Sequence, residues 1–138
     1  MAKTDKPMFL FEKLEVWQNS VEFADAVCRL TKKFPDDERF GLTSQMRRAA
    51  VSIASNIAEG SARFPRNDFA RFIEIATGSL FEVVTQSTTG LRPGLLTKAE
   101  YPELYCPAEE QGRMLSGLGR SLTAMAAHQS STPPPSTK

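Results

Sequence analysis

The chain has 138 residues and a mass of 15.3 kDa, and 41% of its residues are hydrophobic and 24% charged. A chain of this length buries about 70% of the surface that its unfolded state exposes, so we expect one domain with a substantial core. The 17 Lys and Arg residues against 16 Asp and Glu residues give a net charge of +1, which excludes a basic field over the whole molecule. The single histidine, His128, excludes any site within one chain that needs two imidazoles.

The cysteines form no recognisable metal-binding or disulfide pattern. Cys28 lies in a helical pattern, Cys106 precedes a proline, and the chain has no C-x-x-C pair. We expect two buried thiols in a reducing compartment, with a disulfide or a metal role as the alternative, and predict neither a metal site nor a cofactor. No apolar stretch of about 18 residues and no signal peptide is present, so a cytoplasmic location without a membrane partner is expected.

Apolar residues in the first half of the chain recur at three- and four-residue spacing, which predicts two helices. The first is expected over residues 11–33, where Phe34-Pro35 ends it. The second is expected over residues 42–59, with Gly60 at the C′ position. Its main core stripe consists of Leu42, Met46, Ala49, Ile53 and Ile57.

The second half of the chain predicts two further helical regions. The third helix begins at Pro65 or Asn67 and continues to about Thr89, and its internal Gly78 indicates close packing against a neighbour. After a loop, the capping-box pattern from Thr97 to Glu100 starts a short helical piece over residues 98–105. Because Pro107 must kink or restart a helix, the main fourth helix is predicted over 107–127.

These elements predict an all-α protein, an antiparallel up-down four-helix bundle over residues 11–127. Residues 1–10 form an N-terminal arm, and residues 128–138 form a disordered tail rich in Pro, Ser and Thr. The helices carry more apolar surface than one four-helix bundle can bury, which favours a homo-oligomer. The predicted interface residues are Trp17, Val51, Ala54, Ala58 and Phe81.

The near-neutral total hides an uneven distribution of charge. Residues 39–72 contain six arginines, no lysine and only two carboxylates, which gives +4, whereas the flanking segments are mildly acidic. We call these six the arginine band, and arginine's planar fork suits phosphate or carboxylate. The alternative is internal pairing with Glu59, Asp68, Glu74 and Glu82. No lysine-rich run and no run that interleaves aromatic and basic residues supports nucleic-acid binding. The candidate phosphate contacts are Arg47, Arg48, Arg63, Arg66 and Arg71.

Residues 40–60, with the sequence FGLTSQMRRAAVSIASNIAEG, resemble a four-helix-bundle family first noted as products of intervening sequences in bacterial large-subunit ribosomal RNA genes. The stretches 14–18, 68–72 and 76–82 match the same pattern. The resemblance implies small bundles that assemble into ring-shaped homopentamers. It extends to the accessory variability protein of diversity-generating retroelements, a basic pentameric bundle that binds nucleic acid and a reverse transcriptase. Neither branch is known as an enzyme family.

Three functions follow from these observations. The leading hypothesis is a non-enzymatic accessory factor that binds structured RNA or RNA/DNA, with a reverse transcriptase as a further partner. The alternative is a protein-interaction scaffold, encoded by an rRNA intervening sequence, that makes no direct contact with nucleic acid. An enzyme is the least favoured, because no base, phosphate loop or metal spacing accompanies the polar row of the second helix. We expect that row to form hydrogen bonds instead; it consists of Ser52, Ser55, Asn56 and Glu59.

Overall fold

Four α-helices make up most of the computed structural model, which describes residues 9–39, 41–64 and 66–131. These ranges contain no strand, so the predicted all-α class and the four-helix bundle are confirmed. Most of the predicted arm and of the tail, residues 1–8 and 132–138, lies outside the described residues. The four helices are α1 (Glu15–Thr31), α2 (Leu42–Ser61), α3 (Arg66–Leu91) and α4 (Tyr101–Ser131).

The predicted first helix is divided into two pieces. A 3-10 helix, Leu10–Lys13, comes first, and Leu14 is extended with φ −76° and ψ 122°, so α1 starts only at Glu15. The Glu12 carboxylate accepts a hydrogen bond from the Phe9 backbone N–H at 3.1 Å, which ties the start of the 3-10 helix down. A second 3-10 helix, Asp36–Glu38, follows α1 and leads towards α2.

The core lies between the helices, along the apolar stripes that the sequence periodicity predicts. On α2, Met46, Ile53 and Ile57 are fully buried, and Leu42 packs against the core with part of its surface exposed. Each helix adds about one such side chain per turn, as an amphipathic helix does when it packs on two neighbours. The buried large side chains of the other three helices include Phe23, Val27, Ile73, Leu80, Val83, Leu104 and Leu115.

Specific polar contacts fix which helix ends meet. Arg47 near the start of α2 donates to Thr31 at the end of α1. Lys33, just after α1, pairs with Glu100, just before α4. Ser52 and Ser79 join the middle of α2 to the middle of α3, with 2.9 Å between their hydroxyl oxygens. Helix α1 also contacts α4 through Gln111, whose Nε2 donates to the Val16 carbonyl oxygen at 3.2 Å.

Gly60 does not end α2 as a C′ residue, because the helix continues to Ser61 and the only positive φ among the described residues belongs to Gly94. It is instead a point of close helix approach. A Cβ atom at position 60 would lie 2.6 Å from the Phe72 Cβ and 2.9 Å from the Phe69 Cδ1. The missing side chain therefore lets the first turns of α3 pack directly on the last turn of α2.

Two other predictions about local packing are wrong. Gly78 was predicted to pack closely against a neighbour, but a Cβ there would meet nothing within 4 Å among the described residues. Its position on the outward face of α3 leaves it exposed. The thiols were predicted to be buried, yet Cys28 is half-buried and Cys106 is exposed, and both are free. Cys106 points away from the core because Leu104 and Ala108, on either side of it, face inwards.

Helix α4 runs unbroken through Pro107, so the predicted break into two pieces is wrong. The predicted capping box is present: Thr97 Oγ1 accepts from the Glu100 N–H at 3.1 Å, and Glu100 Oε1 accepts from the Thr97 N–H at 2.9 Å. Buried side chains on both sides of the proline hold the helix on the core, which offsets the lost backbone bond. The helix also extends past the predicted end at residue 127 to Ser131. Among the described residues, no helix is both long enough and apolar enough to cross a membrane.

Candidate nucleic-acid interface

The fold separates the five candidate arginines into two groups. Arg47 and Arg48 lie in the first half of α2, beside the end of α1. Arg63, Arg66 and Arg71 lie in the turn between α2 and α3 and on the first turns of α3. At a rise of 1.5 Å per residue, Arg48 is about 20 Å along α2 from that turn. We call the second set, Arg63, Arg66 and Arg71, the turn group.

Arg47 is partly engaged within the chain. Its Nε donates to Thr31 Oγ1 at 2.9 Å, and one terminal nitrogen donates to the Cys28 carbonyl oxygen at 3.3 Å. Thr31 is buried, and its hydroxyl in turn donates to the Val27 carbonyl oxygen at 2.7 Å. The Arg47 guanidinium thus joins α2 to the C-terminal turn of α1, and only part of its donor set faces outwards for a ligand.

The other four arginines are exposed. None of them lies within 4.0 Å of a carboxylate oxygen among the described residues. For these four arginines, the structure therefore shows no ion pair with Glu59, Asp68, Glu74 or Glu82 within the described residues, contrary to the alternative of internal pairing. Ion pairs elsewhere in the described ranges join Arg29 to Glu103, Lys33 to Glu100, and Arg113 to Glu110. The hydrogen bond to Glu110 raises the pKa of Arg113, which lies outside the arginine band.

Arg63 is positioned by the close approach of the helices at Gly60. Its guanidinium carbon lies 5.0 Å above the centre of the Phe72 ring, a cation–π distance. Phe72 can occupy that position because Gly60 has no side chain to displace it. The guanidinium keeps its hydrogen-bond donors, since a ring face takes up none of them.

Sequence reasoning missed Phe64, which lies between Arg63 and Arg66. Its side chain is 85% exposed, the largest exposed fraction among the large apolar residues that the structure describes. The expectation that no aromatic residue is interleaved with basic ones overlooked the segment Arg63-Phe64-Pro65-Arg66, because a run of four residues carries little weight in a whole-chain scan. The signal was therefore present in the sequence.

The polar row of α2 forms hydrogen bonds, as predicted, at two of its four positions. Ser52 bonds to Ser79, and Asn56 Nδ2 donates to the Ser52 carbonyl oxygen at 2.8 Å and to its hydroxyl at 3.0 Å. Ser55 and Glu59 are exposed. No group of three or more His, Cys, Asp or Glu side chains in the described ranges is arranged to hold a metal ion.

The predicted interface residues lie on three helices: Trp17 on α1, Val51, Ala54 and Ala58 on α2, and Phe81 on α3. Val51 on α2 is 52% exposed and Phe81 on α3 is 64% exposed. Ala54 and Ala58 are half-buried and lie on the same stripe of α2 as Val51. Trp17 is also half-buried, and the edge of its ring meets Phe11 with 5.0 Å between centroids.

Comparison with known proteins relates this fold to one family. Residues 12–117 match the 23S rRNA-intervening sequence proteins. The chain is also similar to the structure, at 1.70 Å resolution, of a protein of unknown function from the S23 ribosomal protein family of Bacteroides thetaiotaomicron. The two chains share 25% sequence identity and a TM-score of 0.69, over 75% of this chain and 96% of the other. No curated protein matches the chain.

The family match includes all of α1, α2 and α3 and the first half of α4. It therefore contains the arginine band and all five predicted interface residues. It agrees with the resemblance that residues 40–82 carry. This chain belongs to the 23S rRNA-intervening sequence protein family.

Proposed function

We propose that this protein is a non-enzymatic, nucleic-acid-associated accessory factor. The observation that carries the proposal is the state of Arg48 and the turn group, which are exposed and have no carboxylate partner among the described residues. An exposed, unpaired guanidinium keeps its planar fork available for phosphate oxygens. Arg47 supplies a weaker contact, because part of its guanidinium is bonded to α1.

The proposed assembly is a ring-shaped homo-oligomer, a pentamer by family resemblance, of antiparallel up-down bundles. The contacts from Arg47 to Thr31 and from Lys33 to Glu100 support the antiparallel order, since each joins the end of one helix to the start of another. A ring requires two different surfaces on each subunit, and the exposed Val51 and Phe81 supply one apolar residue on each of two helices. Repetition of the turn group around such a ring would multiply weak contacts.

Binding of a structured RNA hairpin at two salt concentrations tests the proposal. We expect measurable affinity at about 50 mM salt and a fall of roughly fortyfold at about 200 mM if the turn group makes three phosphate contacts. The triple variant Arg63→Gln, Arg66→Gln, Arg71→Gln should bind more weakly at low salt. The slope of log affinity against log salt should become shallower by about two to three.

The matched control is the triple variant Arg29→Gln, Arg113→Gln, Arg120→Gln. It removes the same three charges from exposed positions outside the arginine band, where each arginine already contacts a neighbouring side chain. It should keep nearly the full affinity and slope of the unmodified protein. Absence of binding at low salt, or equal losses in the two triple variants, would overturn the proposal.

The scaffold alternative is supported by one observation, a groove of about 630 Å³ between α3 and α4. Apolar and small residues form much of it, including Ile73, Leu115, Gly119 and Ala124. Such a groove suits a partner helix. A partner that stays bound after nuclease treatment favours the scaffold, whereas one released by nuclease favours the accessory factor. A reverse transcriptase, the partner implied by the resemblance to the retroelement protein, is identified in the same experiment.

A further inference from the structure

Three large apolar side chains are exposed at one end of the bundle. Phe64, in the turn between α2 and α3, is 85% exposed, and Phe9 and Leu10 before α1 are 59% and 79% exposed. The C-terminal end of α1 meets the start of α2, so the N-terminal end of α1 lies towards the end of α2. The 3-10 helix that contains Leu10 precedes α1 and contacts α2. Phe9 and Leu10 therefore lie at the same end of the bundle as Phe64. We call these three residues the aromatic end. Large apolar side chains exposed at one end of a bundle mark a candidate contact site.

The charge around Phe64 favours an anionic ligand. Arg63 and Arg66 lie on either side of it in the chain, and neither has a carboxylate oxygen within 4.0 Å among the described residues. Of the acids near it in the chain, Glu59 on the last turn of α2 is exposed but has no arginine or lysine nitrogen within 4.0 Å among the described residues, and Asp68 is half-buried in the first turn of α3. The N-terminus of the 26-residue helix α3 also points to this end and adds a positive partial charge.

We infer that the aromatic end binds unpaired nucleotides, with a base stacked on Phe64 and the adjoining phosphates on Arg63 and Arg66. This inference rests on the proposed function and names its ligand as single-stranded nucleic acid. A protruding phenyl ring can stack only on a base whose face is free, and bases inside a duplex have both faces covered. A flat ring between two cations matches the alternation of base and phosphate along a single strand.

Oligonucleotide binding at two salt concentrations separates stacking from charge. The probes are a uridine 20-mer and a 20-base-pair RNA duplex. We expect the unmodified protein to prefer the single strand, and Phe64→Ala to weaken single-strand binding at least about fivefold while leaving duplex binding unchanged. The loss of single-strand affinity in Phe64→Ala should be the same at both salt concentrations, because stacking releases no counterions. The turn-group variant should instead change the slope of log affinity against log salt.

The control is Tyr105→Ala, which removes an exposed aromatic ring from the first half of α4, towards the opposite end of the bundle. It should bind both probes as the unmodified protein does. A direct readout of stacking is the variant Trp17→Phe, Phe64→Trp, which places the chain's single tryptophan at position 64, where the single strand should quench its fluorescence. Circular dichroism checks that each variant is helical.

The outcomes distinguish this inference from the proposed function. If Phe64→Ala binds both probes normally while the turn-group variant loses affinity, the accessory function holds and the inference is overturned. If neither probe binds the unmodified protein at low salt, both are overturned. If Phe64→Ala lowers the molar mass of the protein in solution, the aromatic end is a contact between copies of the chain and the inference is again overturned.

Discussion

At the scale of single residues, two glycines in neighbouring helices have opposite roles. Gly60 lies where α2 and α3 are in direct contact, and a methyl group there would come within 2.6 Å of the Phe72 Cβ. Gly78 lies on the exposed side of α3 with open space around its Cα. Only the first glycine is required by packing, whereas the second lies in the interior of its helix and weakens it by its backbone freedom.

Gly60→Ala should destabilise the protein and Gly78→Ala should stabilise it. We expect the first to lower the free energy of unfolding by about 1–3 kcal/mol, because Phe69 and Phe72 must move. The second should raise it by about 0.5–1 kcal/mol through a better helix propensity. Urea denaturation of both variants, at the same protein concentration, measures the two effects. A change of the same sign in the two variants would contradict the assigned role of Gly60.

At the scale of elements, α4 shows that packing overrides a local helix breaker. Pro107 lies at the seventh position of a 31-residue helix and lacks the N–H that would bond to the Glu103 carbonyl oxygen. The helix continues because Leu104, Ala108 and Gln111 form one buried stripe across the proline. Packing against its neighbours therefore holds α4 together across the missing hydrogen bond at Pro107. The sequence of α4 taken alone predicts a break there.

Replacing Pro107 should strengthen α4. Pro107→Ala restores the backbone donor, and we expect the free energy of unfolding to rise by about 1–3 kcal/mol, as an interior proline costs about 3 kcal/mol. Pro102→Ala is the matched control, because Pro102 is the second residue of the helix, where no backbone bond is lost. In thermal or urea unfolding, the free energy of unfolding of Pro102→Ala should lie within about 0.5 kcal/mol of that of the unmodified protein. If Pro107→Ala does not raise the free energy of unfolding, the proline is required for the packing of α4.

The elements that sequence reasoning predicted correctly are those set by local periodicity. The core stripe of α2 is buried through Met46, Ile53 and Ile57, because three- and four-residue spacing alone decides which side chains share a face. The role of Gly60 depends on α3, and the continuity of α4 depends on what packs beside Pro107. The arginine band is a single block in sequence, yet it divides along the 20-residue length of α2. A periodicity scan contains none of these contacts between helices.

At the scale of the whole molecule, a single bundle leaves large apolar side chains exposed on α2, α3 and α4 as well as at the aromatic end. Val51 on α2, and Ile75 and Phe81 on α3, each have at least half of their surface exposed. Single exposed apolar residues are normal on protein surfaces and do not by themselves indicate an oligomer. They favour one only if neighbouring subunits bury both Val51 and Phe81. A ring covers both, since each subunit presents a different surface to each of its two neighbours.

Adding a charge at Val51 should dissociate the proposed oligomer. Val51→Glu places a carboxylate in the apolar contact, and we expect light scattering after size-exclusion chromatography to show a lower molar mass than for the unmodified protein. Ser121→Glu is the control, because it adds the same charge at an exposed position of α4. An unmodified protein that is already monomeric, or a Val51→Glu variant with the full mass, would show that this face is not the interface.

The path of the chain places the loop between α3 and α4 at the end of the bundle opposite to the turn group. An inserted domain at that loop is therefore far from the proposed binding residues. The turn before α3 and the last turns of α4 lie at the same end, where Thr123 and Ala127 approach Ala70. The loop between α3 and α4 lies at the other end, and its Gly94 has φ 82° with open space around it. A fluorescent domain or affinity peptide inserted at Gly94 would therefore leave the turn group uncovered.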